Sequence, residues 1–471
     1  MPIIAAFALP HPPLIVPTVG HGREHEIQQT IDAYEKVALR IAELAPDTIV
    51  ISSPHATLYS DYFQISPGRS ARGNLAAFGA PRSRYQVTYD TALVGELCQI
   101  CEREALSAGT DYEREPDLDH ATMVPLHFIQ AKYQDFKLVR IGLSGQSPAE
   151  HYRLGMAVQE AAATLGRRVV YVASGDLSHK LLEDGPYGFA PEGPVFDERI
   201  TSSFAKADLL DILCMDHSLA ERAAECGLRS FQIMAGALDG TPVTGELLSY
   251  EGPFGVGYGV AAFEPAGPEA SDENRRLLPQ YEHWRNDDLR KRRQGEDAYV
   301  RLARRSLEAF VREGVRIDPT ALGLDESDLP KELLHTRAGC FVSLKVDGEL
   351  RGCIGTISPV QKSLAHEICA NAISAGTRDP RFMPVREDDL ASLVYDVDVL
   401  GEPELCSRAD LDPARFGVIV STTDGRRGLL LPDLDGVDTV EQQIKIAAQK
   451  GGISTSHDTY QLERFQVVRH L

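Results

Sequence analysis

The first 263 residues of the chain alternate short apolar runs with longer amphipathic runs. The short runs have the length and the β-branched content of buried strands, and they cover Ile3–Leu9, Thr48–Ser52, Lys137–Ile141 and Val169–Ala173. The longer runs repeat their apolar residues at helical spacing, and they cover Thr30–Leu44, Leu93–Ala108, Ala149–Leu165 and Ser218–Ala237. This alternation predicts an α/β domain in which helices cover a central sheet.

The composition of the chain changes after residue 263. Residues 264–295 are almost wholly polar and charged, so they predict a linker or a surface helix between two domains. Apolar residues recur at helical spacing from Ala298, and short strand and helix patterns follow it to Leu471. Among these patterns, Asp347-Gly348 between two short β runs predicts a hairpin, and Val440–Lys450 predicts a helix. We therefore expect an N-terminal α/β domain over 1–263 and a C-terminal α+β domain over 296–471.

The charge balance and the apolar runs limit the location and the partners. Lys and Arg total 48 against 69 Asp and Glu, and the net charge of −21 argues against nucleic-acid or anionic-membrane partners, which both favour a basic surface. No apolar run reaches the ~18 residues of a transmembrane helix, and the N-terminus lacks the basic segment of a signal peptide. With 8 cysteines in 471 residues, we expect a cytoplasmic protein with free thiols.

Histidines follow three of the predicted strands at the point where each strand ends. His11 follows the first strand, His55 the second, and His179 lies in the Ser-Gly-Asp-Leu-Ser-His segment after the fourth. Ligands of α/β sheets bind at the carboxyl ends of the strands. Three histidines in this position therefore predict a shared metal or acid–base site.

Two imidazoles and one carboxylate form the ligand set of many Fe(II) oxygenases, and they also suit Zn and Cu. The sequence offers His11 and His55 as the imidazole ligands. Glu251 is the first candidate for the carboxylate, and Glu246 and Asp61 are weaker candidates. These residues predict a metal site in the first domain.

Three further polar residues are candidates for acid–base or substrate-binding roles. His179 is placed to act as a general base that does not bind the metal. Asp176 either orients His179 or caps the next helix, and His120 either contacts substrate or has a structural role.

The motifs that carry these residues occur in a characteristic order, namely LPHPPL, SSPHATLYSDYF, DLDHATMVPLHF, SGDLSH and SYEGPFGVGYGVAAF. In that order they resemble the class III extradiol ring-cleavage dioxygenases, a family that includes the B subunit of protocatechuate 4,5-dioxygenase and the Memo-type proteins. The resemblance covers about the first 263 residues. It implies an Fe(II)-dependent oxidoreductase that opens the ring of a catechol-type or related aromatic substrate.

The same resemblance assigns roles to individual residues. It implies that His11, His55 and Glu251 bind iron and that His179 is the catalytic base. His120 would be a second acid–base or substrate-orienting residue.

The second domain carries the motifs LRGCIGT and RDPRFMPV, which resemble the AMMECR domain over about residues 296–471. Within these motifs, Cys353 is either a thiol whose pKa is lowered by the neighbouring Arg351 or a buried strand cysteine. Asp379 and Arg381 either form a polar site with Arg351 or pair with one another at a helix end.

The joining of these two domains also allows a second interpretation. The chain would then be a non-oxygenase metal-binding or scaffold protein of a Memo/AMMECR/radical SAM system, with a radical SAM protein as its partner. We further expect a homo-oligomer, because dimers are the commonest soluble assembly.

Overall fold

The computed structural model of the chain describes residues 1–267, 271–319, 330–434, 436–437 and 439–471. The chain divides into two compact units, Met1–Arg285 and Asn286–Leu471. The division falls inside the polar segment 264–295. Residues 268–270 of this segment lie outside the described residues, and so do residues 320–329, 435 and 438 of the predicted second domain. Helix α10 (Leu278–Gly295), numbered by its place in the chain, contains residues of both units.

The first unit is built around a six-stranded sheet. Its strands, with those of two small two-stranded sheets, are β1 (Ile3–Leu9), β2 (Thr48–Ser53), β3 (Phe63–Gln64), β4 (Ser70–Leu75), β5 (Ala80–Thr88), β6 (Ala108–Gly109), β7 (Lys137–Gly142), β8 (Val169–Ser174), β9 (Val243–Glu251) and β10 (Tyr258–Pro265). The order in the large sheet is β7-β2-β8-β1-β10-β9, and the first four of these strands are parallel. Their carboxyl ends therefore share one edge of the sheet.

Helices cover both faces of this sheet. They are α1 (Pro17–Gly20), α2 (Gln28–Leu44), α3 (Thr91–Arg103), α4 (His120–Lys132), α5 (Pro148–Thr164), α6 (Glu192–Lys206), α7 (Leu209–Leu213), α8 (His217–Ala223) and α9 (Leu228–Ala237). Side chains alternate along β1, so Ala6 and Ala8 join one apolar core and Phe7 and Leu9 join the other. Both faces are buried, as the continuous apolar strands predicted.

The four predicted strands of the first unit are confirmed, but two predicted helices are wrong in part. The helix predicted over Leu93–Ala108 ends at Arg103, and Ala108 lies in β6. The segment Ser218–Ala237 forms two helices, because Ala224 adopts a left-handed conformation with φ of 53° and ends α8. Helix α9 then starts beyond Gly227, whose backbone packs directly against that of Gly175. The break leaves a short non-helical turn before α9.

Helices α5 and α9 cross at very short range. A Cβ atom on Gly155 of α5 would collide with the carbonyl oxygen of Ile233, and one on Gly236 of α9 would collide with that of Tyr152. Only glycine lets the two backbones approach this closely.

The second unit contains two four-stranded sheets, ordered β12-β11-β13-β18 and β14-β17-β15-β16. Its strands are β11 (Cys340–Val346), β12 (Glu349–Thr356), β13 (Val394–Leu400), β14 (Glu404–Cys406), β15 (Gly417–Thr422), β16 (Arg427–Leu430), β17 (Tyr460–Phe465) and β18 (Val467–His470). Its remaining helices are α11 (Ala298–Glu313), α12 (Lys331–His335), α13 (Leu364–Thr377) and α14 (Val440–Lys450).

The hairpin that the sequence predicts at Asp347-Gly348 is confirmed. Asp347 has φ of 51° and Gly348 has φ of 85°, which is the two-residue turn that joins antiparallel strands with their natural twist. The helix predicted at Val440–Lys450 is confirmed with its bounds unchanged. The α/β and α+β fold classes are thus as expected. Within the described residues, no helix has both the length and the apolar character that crossing a membrane requires.

Candidate metal centre

The candidate site lies at the edge of the large sheet where the parallel strands end. His11 follows β1, His55 follows β2, and Asp176 and His179 follow β8. Because β2, β8 and β1 are adjacent in the sheet, these side chains converge. The imidazole of His11 is buried, whereas His55 is exposed, so the site opens to solvent on the His55 side.

Three metal-ligating atoms meet at this edge. The Nε2 atoms of His11 and His55 are 3.1 Å apart, and Cys226 Sγ lies 3.7 Å from His11 Nε2. All three atoms fall within 4.8 Å of one another, and this is the one group of its kind in the described part of the chain. Zinc–nitrogen bonds are about 2.0–2.1 Å long, so two nitrogens at this separation can reach one ion.

The hydrogen bonds around His11 fix which ring nitrogen carries the proton. Ser174 Oγ donates its proton to the carbonyl oxygen of Ala121 at 2.7 Å, so it accepts from His11 Nδ1 at 3.1 Å. Burial, followed by the charges of the other site histidines, lowers the pKa of His11 well below its ordinary value. The ring is therefore neutral, and the lone pair on Nε2 faces His55 and Cys226.

Cys226 is a partly buried thiol at this edge. Burial, with the nearby carboxyl groups of Asp176 and Glu225, raises its pKa well above the ordinary value. The backbone N–H of Asp176 donates to Sγ at 3.3 Å, which gives the sulfur a fixed position. A cation bound at this sulfur would displace the thiol proton.

The structure does not bring Glu251 together with the two histidines. Its Oε2 accepts hydrogen bonds from the backbone nitrogen and the hydroxyl of Thr30, at 2.7 and 2.8 Å. Thr30 lies in the first turn of α2, where unpaired N–H groups and the helix dipole favour a carboxylate. Glu246 instead pairs with Arg40 at 2.7 Å, and Asp61 lies on the surface beside Ser60. Among the described residues, Cys226 rather than Glu251 is the third possible ligand next to the two histidines.

Asp176 holds the backbone of the first histidine. Its carboxylate accepts the backbone N–H of His11 at 2.6 Å. Burial raises the pKa of this carboxyl group to about 7. Among the described residues, the contacts of the Asp176 carboxyl group are with His11, and none is with the His179 ring.

His120 joins the site from the first turn of α4. Asp119 caps this helix by accepting the backbone N–H of Thr122 at 2.9 Å, and Ser53 Oγ donates to the same carboxylate at 2.6 Å. The His120 ring centroid lies 4.1 Å from that of His55. Burial, and then the charge of His55, lowers the pKa of His120 to about 4, so its ring is neutral.

His179 lies close enough to His55 for their charges to interact. Burial is the main cause that lowers the pKa of His179, so this ring is also neutral at physiological pH. Its Nδ1 atom is buried and has no hydrogen-bond partner among the described residues. A neutral imidazole can accept a proton, and the burial of Nδ1 leaves Nε2 as the nitrogen for such an exchange.

Aromatic rings stand next to two of these histidines. The Phe78 ring lies 5.1 Å from the His120 ring, and the Tyr187 ring lies 5.1 Å from the His179 ring. Both residues are exposed to solvent, at 38% for Phe78 and 59% for Tyr187. They give the open side of the site two flat apolar surfaces.

The sequence interpretation did not include Cys226 among the site residues. It placed this cysteine inside the predicted helix Ser218–Ala237, whereas the residue lies in the turn between α8 and α9. The Cys226-Gly227 pair was the available signal, since glycine weakens a helix interior.

Two family models match the chain. The model described as the catalytic LigB subunit of aromatic ring-opening dioxygenase matches residues 5–261. The AMMECR1 model matches residues 300–470. The predicted fusion of these two domain types is confirmed.

The chain is also similar to individual proteins from other organisms. It is 41% identical over 472 residues to Protein CA_C1420 of Clostridium acetobutylicum, and the match covers 98% of each chain. It is 51% identical over 178 residues to a Thermotoga maritima protein, covering 37% of this chain and 98% of that one. The solved structure of uncharacterized protein PH0010 from Pyrococcus horikoshii aligns with TM-score 0.33 and 29% identity, over 37% of this chain and 89% of that one. The chain therefore belongs to the family of the catalytic LigB subunit of aromatic ring-opening dioxygenase, and it carries an AMMECR1 domain as its second half.

Proposed function

We propose that the first unit is a metal-dependent oxidoreductase that acts on a catechol-type or related aromatic substrate, with its ion held by His11, His55 and Cys226. The observation that carries this proposal is the approach of two imidazole nitrogens and one thiol sulfur to within 4.8 Å. Fe(II) is the ion we expect from the family to which the chain belongs.

The donor atoms fit a metal ion. His11 is neutral, and its Nδ1 proton is donated to Ser174 Oγ. The lone pair on Nε2 therefore faces the other two donor atoms. Imidazoles suit Fe, Zn and Cu, and a thiolate adds preference for softer ions such as Zn and Cu(I). When bound, a redox-active ion would supply a Lewis acid for the two hydroxyl oxygens of a diol and electrons for dioxygen.

The residues around the donors would bind the substrate and move its protons. The neutral ring of His179 would accept a proton from a substrate hydroxyl at Nε2, since Nδ1 is buried. His120, next to His55, would orient the same substrate or exchange a second proton. Phe78 and Tyr187 would hold a flat ring between them and the histidines, because aromatic pairs prefer offset or edge-to-face contact.

Metal content and ring opening test this proposal together. Protein purified without oxygen and loaded with Fe(II), Cu(I) or Zn is compared with Cys226→Ala, His55→Ala and Glu251→Gln. We expect near-stoichiometric metal in the wild type and in Glu251→Gln, and loss of metal in the other two. Catechol and protocatechuate are then supplied with oxygen, and ring opening is followed by product absorbance and oxygen uptake.

Each outcome has a distinct meaning. Metal retained by Cys226→Ala but lost by Glu251→Gln would assign the third ligand to the carboxylate. A loaded protein that consumes neither diol would contradict the oxygenase proposal and support a metal-binding role without ring opening.

A further inference from the structure

The segment that follows β8 pairs with the start of β10. The backbone N–H of Leu177 donates to the carbonyl oxygen of Gly257 at 2.8 Å, and the N–H of Gly257 donates to the carbonyl oxygen of Ser178 at 2.7 Å. Asp176 and His179 stand directly before and after these two paired residues. The first residue of β10 therefore lies next to the part of the candidate site that Asp176 and His179 form.

This first residue is Tyr258, and its side chain points to the face of the sheet that carries His11. Tyr258 lies in the same apolar core as Phe7 and Leu9 of β1. Because side chains alternate along a strand, His11, two residues after Leu9, points to this face as well. The antiparallel register of β1 and β10, continued past its last pair, sets Tyr258 at the level of His11. Tyr258 is thus a wall of the same site.

The ring of Tyr258 is buried, but its hydroxyl group is unused. The residue is only 3% exposed. Among the described residues, this hydroxyl has no hydrogen-bond partner, and it is not one of the fully enclosed polar atoms either. The nearby Tyr34 differs, because its hydroxyl donates to the carbonyl oxygen of Pro10. Since buried polar groups are normally paired, a hydroxyl that meets solvent here without a partner is available to a bound molecule.

Two neighbouring groups act on the charge of this phenol. Burial, followed by the carboxyl group of Asp176 and the phenol of Tyr187, raises the pKa of Tyr258 above its ordinary value. The hydroxyl therefore keeps its proton at physiological pH and can donate it in a hydrogen bond. The Tyr187 ring also lies 5.1 Å from the ring of His179. Tyr258, Tyr187 and His179 therefore line one side of the site.

We propose that the Tyr258 hydroxyl donates a hydrogen bond to a diol oxygen of the aromatic substrate and stabilises the anion left when His179 takes the proton of that oxygen. This role depends on the proposed function of the first unit, which supplies the diol. The substrate proton passes to His179 Nε2, the electron pair stays on the substrate oxygen, and the O–H bond of Tyr258 remains intact. Hydrogen bonds to a charged oxygen are roughly twice as strong as those to a neutral one, so this donor favours the ionised diol.

Binding of 4-nitrocatechol to the zinc-loaded, full-length protein tests this role. Zinc has no redox chemistry, and the absorbance of the ligand reports both its binding and its ionisation. Tyr258→Phe keeps the ring and removes the hydroxyl. We expect the affinity to fall by about tenfold, the effect of losing a hydrogen bond to a charged group. The bound ligand should also lose its last proton about one pH unit higher, while the zinc content stays unchanged.

Tyr171→Phe is the matched control for this substitution. The Tyr171 hydroxyl also has no partner among the described residues, but it is fully enclosed in the core on the other face of the six-stranded sheet. We expect this variant to bind 4-nitrocatechol like the wild type.

The outcomes separate this role from the proposed function. If Tyr258→Phe matches the wild type in affinity and in the pH of proton loss, the role is wrong and the proposed function stands. Equal losses in both variants would indicate a general effect on packing and would also overturn the role. A wild-type protein that holds zinc but binds no 4-nitrocatechol would overturn the role together with the proposed function.

Discussion

At the scale of single residues, Ser174 decides how His11 is presented. The serine gives its proton to Ala121 and accepts the Nδ1 proton of the imidazole, so its removal frees the ring to turn or change tautomer. We expect Ser174→Ala to weaken metal binding by about 10–100-fold, the usual effect of losing such a partner. A competition titration with a chromophoric chelator measures it. Ser203→Ala, a buried serine on α6, is the control, and equal affinity in Ser174→Ala would contradict the role.

A second residue makes the stability of the first unit depend on pH. His151 is buried on α5, its Nε2 has no partner among the described residues, and burial lowers its pKa to about 3. Between that value and the ordinary 6.5, the unfolded chain binds a proton that the folded chain does not. The free energy of unfolding should therefore fall as the pH falls through this window, by about 1.4 kcal/mol per pH unit.

Urea denaturation of the first unit between pH 6 and pH 4 measures this dependence. In His151→Leu, which has no proton to bind at this position, the slope against pH should be smaller by about one proton. Equal slopes in the two proteins would show that His151 takes up its proton without unfolding.

At the scale of elements, the N-terminus of α4 connects the sheet edge to His120. Ser53, at the end of β2, donates to Asp119, and Asp119 caps the helix that begins with His120. Arg140 of β7, only 2% exposed, donates to the carbonyl oxygen of Asp117 at 2.7 Å and so fixes the preceding loop. The position of His120 is thus set by two strands as well as by its own helix.

Replacement of this helix cap should separate stability from substrate binding. Asp119→Ala and Asp208→Ala each remove a capping carboxylate, the second at α7, and each should cost about 1 kcal/mol. Only Asp119→Ala should also weaken the binding of 4-nitrocatechol by metal-loaded protein, because only that cap positions His120. An absorbance titration checks this, and equal binding by the two variants would contradict it.

The sequence was a good guide to elements that depend on local periodicity. The strands that carry His11 and His55 were predicted because their apolar runs are continuous and end at polar residues. Cys226 was missed because the turn before α9 depends on the contact between Gly175 and Gly227. The position of Glu251 could not be predicted from the sequence, because its hydrogen-bond partner, Thr30, is 221 positions away in the chain.

At the scale of the whole molecule, the two units have separate apolar cores. The core of the first unit lies on the two faces of its six-stranded sheet. The second unit has one core around α11 and α13 and a further one around α14. A ligand that binds only the native first unit should stabilise that unit alone.

Calorimetry should therefore resolve two unfolding transitions, of which one responds to metal. At an ion concentration 100 times the Kd, binding adds about 2.7 kcal/mol to the free energy of unfolding of the first unit. This corresponds to a rise of about 5–10 °C in the Tm of that unit. The Tm of the other transition should not change. In Cys226→Ala, addition of the ion should change neither Tm. A shift of both transitions by the same ion would contradict a site confined to the first unit.

The crossing of α5 and α9 affects how intolerance to mutation should be interpreted in this protein. Gly155 and Gly236 each contact the backbone of the opposing helix. A side chain at either position would therefore push α9, the helix that follows Cys226, away from α5. In a saturation mutagenesis experiment these two positions would tolerate as little change as the metal-ligating residues, although neither bears a reactive group. The two kinds of position would differ in abundance, since glycine variants would fail to accumulate, whereas a folded Cys226→Ala protein would accumulate and lack only its metal.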